Sequence, residues 1–332
     1  MRYTTIMKRV QRQFLAVVFT VLFIASALLS PLPVQAAEAN GQGITVSPVL
    51  VELNAERGKS YTIDIKVTNV TAGDLILLSD ANDFKAKDDT GTPDVLFDED
   101  NGTYSMRKWI EKPEKVRLKS KETKVVKAIV RVPANAEPGG HYGVVRFSGV
   151  APELEDTGVA LSASVGTLIL ARVAGDTREA LTLSNFYFAQ GDNKSWWFEQ
   201  TPVQAIERIN NTGTVHVKPV GTLELKDIFG RTAVKTDVNA EQRNVLPGSA
   251  RRFEQAITKA WLIGPYSAKL ELAYGTQGQV LQGQTTIWFI PWRAILLLIL
   301  ILVILFFGGR WVLRRYNQRV LRKAGHHGPR RR

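Results

Sequence analysis

Cysteine is absent from the 332 residues. Its absence removes disulfides, iron–sulfur clusters, thiol nucleophiles and cysteine-ligated zinc together. Histidine is nearly as scarce, with only His141, His216, His326 and His327. His141 and His216 stand far apart and His326 and His327 fall in the C-terminal tail, so no close-spaced pair suggests a metal site. Neither a G-x-S-x-G elbow nor a phosphate-cradling glycine loop occurs. These gaps point to a protein that is not an enzyme and carries no cofactor, with His141 and His216 in structural roles.

Acidic residues are missing from both ends. Residues 1–36 contain Arg2, Lys8, Arg9 and Arg12 and no acid, and residues 293–332 contain ten basic residues and again no acid. The formal net charge is +12, but setting those ends aside leaves 29 basic against 31 acidic residues. A near-neutral middle excludes the basic face that nucleic-acid binding requires. The charge at the ends reads instead as membrane topology.

At the N-terminus a basic stretch precedes the apolar run 14–29 (FLAVVFTVLFIASALL), two prolines and Val34-Gln35-Ala36. That order predicts a signal peptide over 1–36, cut after Ala36. Near the C-terminus residues 294–307 (AILLLILILVILFF) hold no polar side chain. Extended to 289–309, the run is long enough for a transmembrane helix. Trp288 and Trp292 mark one interface and Trp311 the other, and the arginine-rich tail 310–332 fixes that end inside by the positive-inside rule. No LPxTG-type motif precedes the run; Leu246-Pro247-Gly248-Ser249 is a faint echo placed too early. The expectation is therefore a single-pass membrane protein with its middle outside the cell and its tail in the cytoplasm. Export without disulfides leans toward a bacterial surface.

Between Gly43 and Trp288 the pattern is short alternating runs separated by Gly, Pro, Asn and Asp, which predicts an all-β chain. Tyr61, Ile63, Ile65 and Val67 should face inward while Thr62, Asp64 and Lys66 face water. Tyr266, Ala268, Leu270, Leu272 and Tyr274 form a second such face. Further strands are expected over 123–132, 142–150 and 161–173. An internal echo joins two halves. Asn69 and Asn210-Asn211 each end a strand at a turn, and Pro138-Gly139-Gly140-His141-Tyr142 parallels Gly264-Pro265-Tyr266. Two tandem immunoglobulin-like β-sandwiches of about 100 residues each fit that length. They are placed at 43–175 and 176–288.

The order of these parts resembles the WxL-interacting proteins of Gram-positive bacteria. The likeness rests on Ile44-Thr45-Val46-Ser47-Pro48, the strand 61–69, Trp109-Ile110 and the segment 132–142. It implies an N-terminal immunoglobulin-like domain that binds peptidoglycan and a second β domain that binds a host. It supplies no catalytic residue.

Two clusters could bind something. Asp80, Asp83, Asp88, Asp89, Asp94, Asp98, Glu99 and Asp100 make an oxygen-rich stretch that could take Ca²⁺. The spacing is not that of an EF-hand, and a solvated acidic loop is the simpler expectation. Trp196 and Trp197 are adjacent, so in a strand they point to opposite faces, and one of them should lie outside the core to stack on a glycan. Trp109 and Trp261 are expected in the core. The leading function is a non-enzymatic, membrane-anchored cell-surface protein whose sandwiches bind cell-wall polymer or a surface protein, through sheet faces or edges. The alternatives are a membrane-tethered chaperone or assembly factor and a signalling receptor.

Overall fold

The computed structural model describes residues 43–97, 99–152 and 164–324. The expected signal peptide with its cut after Ala36, residue Asp98, the start of the 161–173 strand and the last residues of the tail lie outside them. The described chain is mostly strand, with one long C-terminal helix.

Ten strands build the first half: β1 (Ile44–Ser47), β2 (Leu50–Ala55), β3 (Ser60–Asn69), β4 (Leu75–Ala86), β5 (Pro93–Leu96), β6 (Ile110–Glu111), β7 (Val116–Leu118), β8 (Thr123–Arg131), β9 (Gly139–Val150) and β10 (Ser164–Val173). One sheet runs β1-β3-β8-β6; the other runs β2-β10-β9-β4-β5, with β7 also on β4. The expected alternation in β3 is observed. Ile63, Ile65 and Val67 are buried, Tyr61 is half-buried, and the three polar residues between them are exposed. These side chains meet Leu77, Phe147 and Ile169 of the facing sheet, so the two sheets close on one apolar core.

The second half repeats the plan with β11 (Leu181–Gln190), β12 (Asn193–Ser195), β13 (Trp197–Phe198), β14 (Val203–Asn211), β15 (Val220–Lys226), β16 (Thr232–Val238), β17 (Ala250–Ile257), β18 (Gly264–Tyr274) and β19 (Gln279–Phe289). Its sheets run β12-β11-β14-β17 and β13-β19-β18-β15-β16. The β14–β17 and β15–β18 sheets enclose a second core, in which Tyr266, Ala268, Leu270 and Leu272 lie buried. Leading strands match one for one. β1-β3-β8 corresponds to β11-β14-β17, and in each half a strand pairs parallel with the last strand, β2 with β10 and β13 with β19.

The echo at the two asparagines is a shared device. Asn69 is fully buried; its Nδ2 donates to Gly73 O at 2.8 Å and Lys119 O at 3.0 Å, and its Oδ1 accepts from Thr71 N at 2.9 Å. Asn211 donates from Nδ2 to Val215 O and Val245 O, both at 2.8 Å, and accepts from Gly213 N at 2.8 Å. Each amide satisfies backbone groups that the end of a strand leaves unpaired inside the protein.

Three expectations need correction. Trp261 is 91 % exposed rather than in the core. It sits in the loop before β18 at φ +63°, where no alternating partner strand turns it inward. Trp109 is half-buried against the first core and stacks on His141 at 4.3 Å between ring centroids. Phe289 does not begin the helix but ends β19, 1 % exposed in the second core. The helix α1 runs Trp292–Ala324, starting directly after Pro291, which suits a helix N-terminus. Within it, Trp292–Arg315 is long and apolar enough to cross a membrane, and none of it is buried in the protein.

Candidate functional site

The acidic stretch does not converge. Asp83 is fully buried, not solvated. Its carboxylate accepts from Asn101 N, Ser105 Oγ, Met106 N and Arg107 N, and so pins the 101–107 segment to β4. Asp80 pairs with Lys112 at 3.0 Å, and Asp88 accepts from Thr90. Among the described residues no three His, Asp or Glu side chains gather as a metal would need. His141 lies between the carbonyls of Ser105 and Glu137, at 3.2 and 3.0 Å.

The two halves touch through groups that the sequence did not bring together. Glu52 of β2 receives Lys218 Nζ and Asn244 Nδ2, each at 2.6 Å. Asp89 Oδ2 accepts from Arg208 Nε at 3.1 Å, and Gly140 N donates to Thr214 O at 2.9 Å. Leu246 packs onto the outer face of the first half, against the small cluster of Phe84, Tyr142, Val144 and Leu170. Tyr142 Oη lies 3.3 Å from His216 Nδ1. Burial there lowers the His216 imidazole to about 4 and raises the Tyr142 phenol. Gly91, at φ +75°, admits the Arg251 guanidinium where a Cβ would stand 2.5 Å from it. A cavity of about 300 Å³ remains beside these contacts. Asn244 and Arg251 are among its polar lining: Asn244 Nδ2 donates to Glu52 and Arg251 Nη1 to Asn244 O at 2.8 Å, while Asn244 Oδ1 and Arg251 Nε are buried without a hydrogen-bond partner among the described residues.

A second feature is the outer edge of β19. In the first half β2 covers the last strand along Leu168–Val173, with Leu168 N donating to Val49 O at 2.9 Å. In the second half β13 covers only Trp288 and Phe289. There Trp288 N donates to Trp196 O at 2.9 Å and Ile290 N to Phe198 O at 2.8 Å. In a strand, N–H and C=O groups of alternate residues point to the same side. Val280, Gln282, Gln284 and Thr286 therefore aim their backbone groups at the same side as Trp288. Among the described residues no strand pairs with them there.

The neighbouring edge strand of the facing sheet is β11, and it too is covered only at its end, where β12 pairs with Phe188, Ala189 and Gln190. Leu183, Phe186 and Leu281 line the seam between β11 and β19 half-buried, and Leu183 and Phe186 crowd Gly283. Neither strand, LTLSNFYFAQ or QVLQGQTTIWF, contains a charged residue or a proline. Natural sheet edges are commonly blunted by such residues. Other strands with an open side do carry them, Lys124, Lys127 and Arg131 on β8 and Lys235 and Asp237 on β16, whereas the short β1 does not. Sequence patterning singled out neither of these two strands, nor which strands would lie at an edge.

Trp196 and Trp197 are both exposed, 63 % and 40 %, because β13 begins only at Trp197. Trp196 packs edge-on against Trp288 at 6.4 Å, so the pair sits at the junction of β19 and α1. Glu207 was not foreseen. It alternates with Val203, Ala205 and Ile209 on the inward side of β14 and is fully buried. Burial pushes its carboxyl up to about 8. With its amide turned to donate, Gln255 reaches the two carboxylate oxygens at 2.5 and 3.1 Å.

No protein-family model matches the chain, and no curated protein matches it in sequence. Solved structures similar to it include the class 5 fimbriae chaperone CfaA (13 % identity, TM-score 0.38, covering 73 % of this chain and 98 % of that one). The E. coli chaperone DraB is similar too (14 %, 0.33, 73 % and 96 %). So is a protein of unknown function from Porphyromonas gingivalis W83 (13 %, 0.28, 74 % and 100 %).

Proposed function

We propose that this chain is a non-enzymatic, membrane-anchored β-domain protein that holds an extended segment of a protein partner by strand addition. On this reading it serves the assembly or presentation of surface proteins, outside the cell, as two immunoglobulin-like domains of the WxL-interacting type. One observation carries the proposal: the uncharged, unpaired edge of β19 from Gln279 to Ile287, at the position that β2 fills in the first half. A partner strand would satisfy the outward N–H and C=O groups and lay alternate apolar side chains against Leu183, Phe186 and Leu281.

Self-pairing is disfavoured by direction. Two copies of β19 meeting antiparallel would send their following helices opposite ways, and both helices could not enter one membrane from the same side.

The test compares the full chain in nanodiscs with Gln284→Pro, which removes an outward N–H without touching the ladder to β18. Envelope protein retained by the parent should be lost, at least tenfold, from the variant. Retention unchanged by Gln284→Pro, or binding to purified wall fragments that the substitution leaves intact, would overturn strand addition in favour of polymer binding.

A further inference from the structure

The large apolar side chains that the second half leaves exposed are gathered at one end. They are Trp196, Trp197, Ile228, Phe229, Trp261, Ile263 and Trp288; among its described residues only Val280 lies elsewhere. Register shows why they meet. Trp197 is level with Trp288, and Gly264, the first residue of β18, with Phe289, so the loop bearing Trp261 and Ile263 projects past the end of β19. Lys226 is level with Ser267, and the turn that follows it, with Ile228 and Phe229, reaches the same end.

That end is also where the chain leaves. Only Ile290 and Pro291 separate β19 from α1, a reach of about 7 Å. The junction is fastened as well. Ile290 N donates to Phe198 O, Trp292 N to Ile290 O at 2.8 Å, and Arg293 Nε lies 3.5 Å from Glu199 Oε2. Once α1 enters a bilayer, no slack remains to lift this end away from it. Trp261 and Phe229, 91 % and 74 % exposed, would waste apolar area in water, whereas tryptophan and other apolar groups are favoured at the headgroup boundary.

We propose that the second half stands on the phospholipid surface by this end, with Trp196, Ile228, Phe229, Trp261 and Ile263 in the boundary between headgroups and acyl chains. The sandwich is then held upright, and the open edge of β19 runs away from the membrane instead of swinging on a tether. This assigns Trp196 to lipid rather than to glycan.

Since the chain has no cysteine, single spin labels can be placed on the full protein in vesicles of phosphatidylcholine and phosphatidylglycerol. Suitable sites are Phe229→Cys, Trp261→Cys, Gln277→Cys in the turn at the far end of β18 and β19, and Leu300→Cys within α1. Collision with oxygen relative to a water-soluble nickel relaxant reports depth. Residues 229 and 261 should show a ratio several-fold above that of residue 277, approaching residue 300. Values at 229 and 261 equal to that at 277, with 300 in lipid, would overturn the proposal alone. A water-exposed residue 300 would overturn it together with the membrane reading. Shielding at 229 and 261 that vanishes on dilution of protein in lipid would show a protein contact instead, and also refute it.

Discussion

In the first half of the molecule the last strand carries six residues of β2 along its flank; in the second it carries two of β13. The β1-β3-β8 order is matched by β11-β14-β17, down to the buried asparagine that closes β3 and β14, while β6, β7 and β12 have no counterpart. The cause of the difference is local. β11 runs ten residues and turns back at Gly191, φ +59°, into β12, so the chain reaches β19 late and pairs only at its end. In the first half the four-residue β1 gives way within two residues to β2. A longer first strand with its own hairpin leaves the last strand bare. The same repeat thus yields a closed half that supplies a docking face for its neighbour and an open half with a free edge and an apolar end.

The comparison is most easily broken at the backbone amides. Those of Val280, Gln282, Gln284 and Thr286 should exchange with solvent orders of magnitude faster than those of Leu168, Leu170 and Arg172, their counterparts beside β2. Equal protection, measured by hydrogen-exchange mass spectrometry without a partner, would mean that β19 is already paired. Next in size is the shared asparagine. Asn69→Ala and Asn211→Ala should each destabilise by about 2–3 kcal/mol, since each leaves buried backbone groups unsatisfied. Denaturant midpoints that moved for one and not the other would sever the correspondence.

Glu207 sharpens the contrast between the cores, since the position has a titratable group only in the second. Its carboxyl titrates near 8 when folded and near its ordinary value of 4.5 when unfolded. Between those values the folded chain holds a proton that the unfolded chain has released. Stability is therefore full below about pH 4.5 and falls as pH rises toward 8. Glu207→Gln should remove that slope and stabilise by up to about 4 kcal/mol at pH 7.5. An unchanged pH profile of the unfolding free energy would show the carboxyl to be solvated. Smallest is Trp261→Ala, expected within about 0.5 kcal/mol of the parent in detergent because the side chain touches little. A loss of several kcal/mol would return Trp261 to the core.

Much of the strand layout was legible. The alternation in 61–67 and 266–274 places inward and outward side chains correctly, and the two asparagine turns betray the repeat. Trp261 was misjudged because residue type predicts burial only on average, while its loop decides its direction. Glu207 was invisible for the converse reason: a glutamate at an inward position of β14 looks like any break in alternation until the facing sheet covers it. Asp83 belonged by composition to an acidic loop, yet backbone amides 101–107 fold over it and make it a cap.

Local periodicity and the apolar run at 294–307 were enough to fix a strand-rich chain ending in one helix long enough to span a membrane, since strand alternation and helix length are properties of neighbours in sequence. Which strands lie at an edge, which face meets the other half, and which loops share an end with α1 were settled only by tertiary structure. Those depend on pairing between segments tens of residues apart, and the energies that choose a partner strand are spread over contacts that no single stretch of sequence contains.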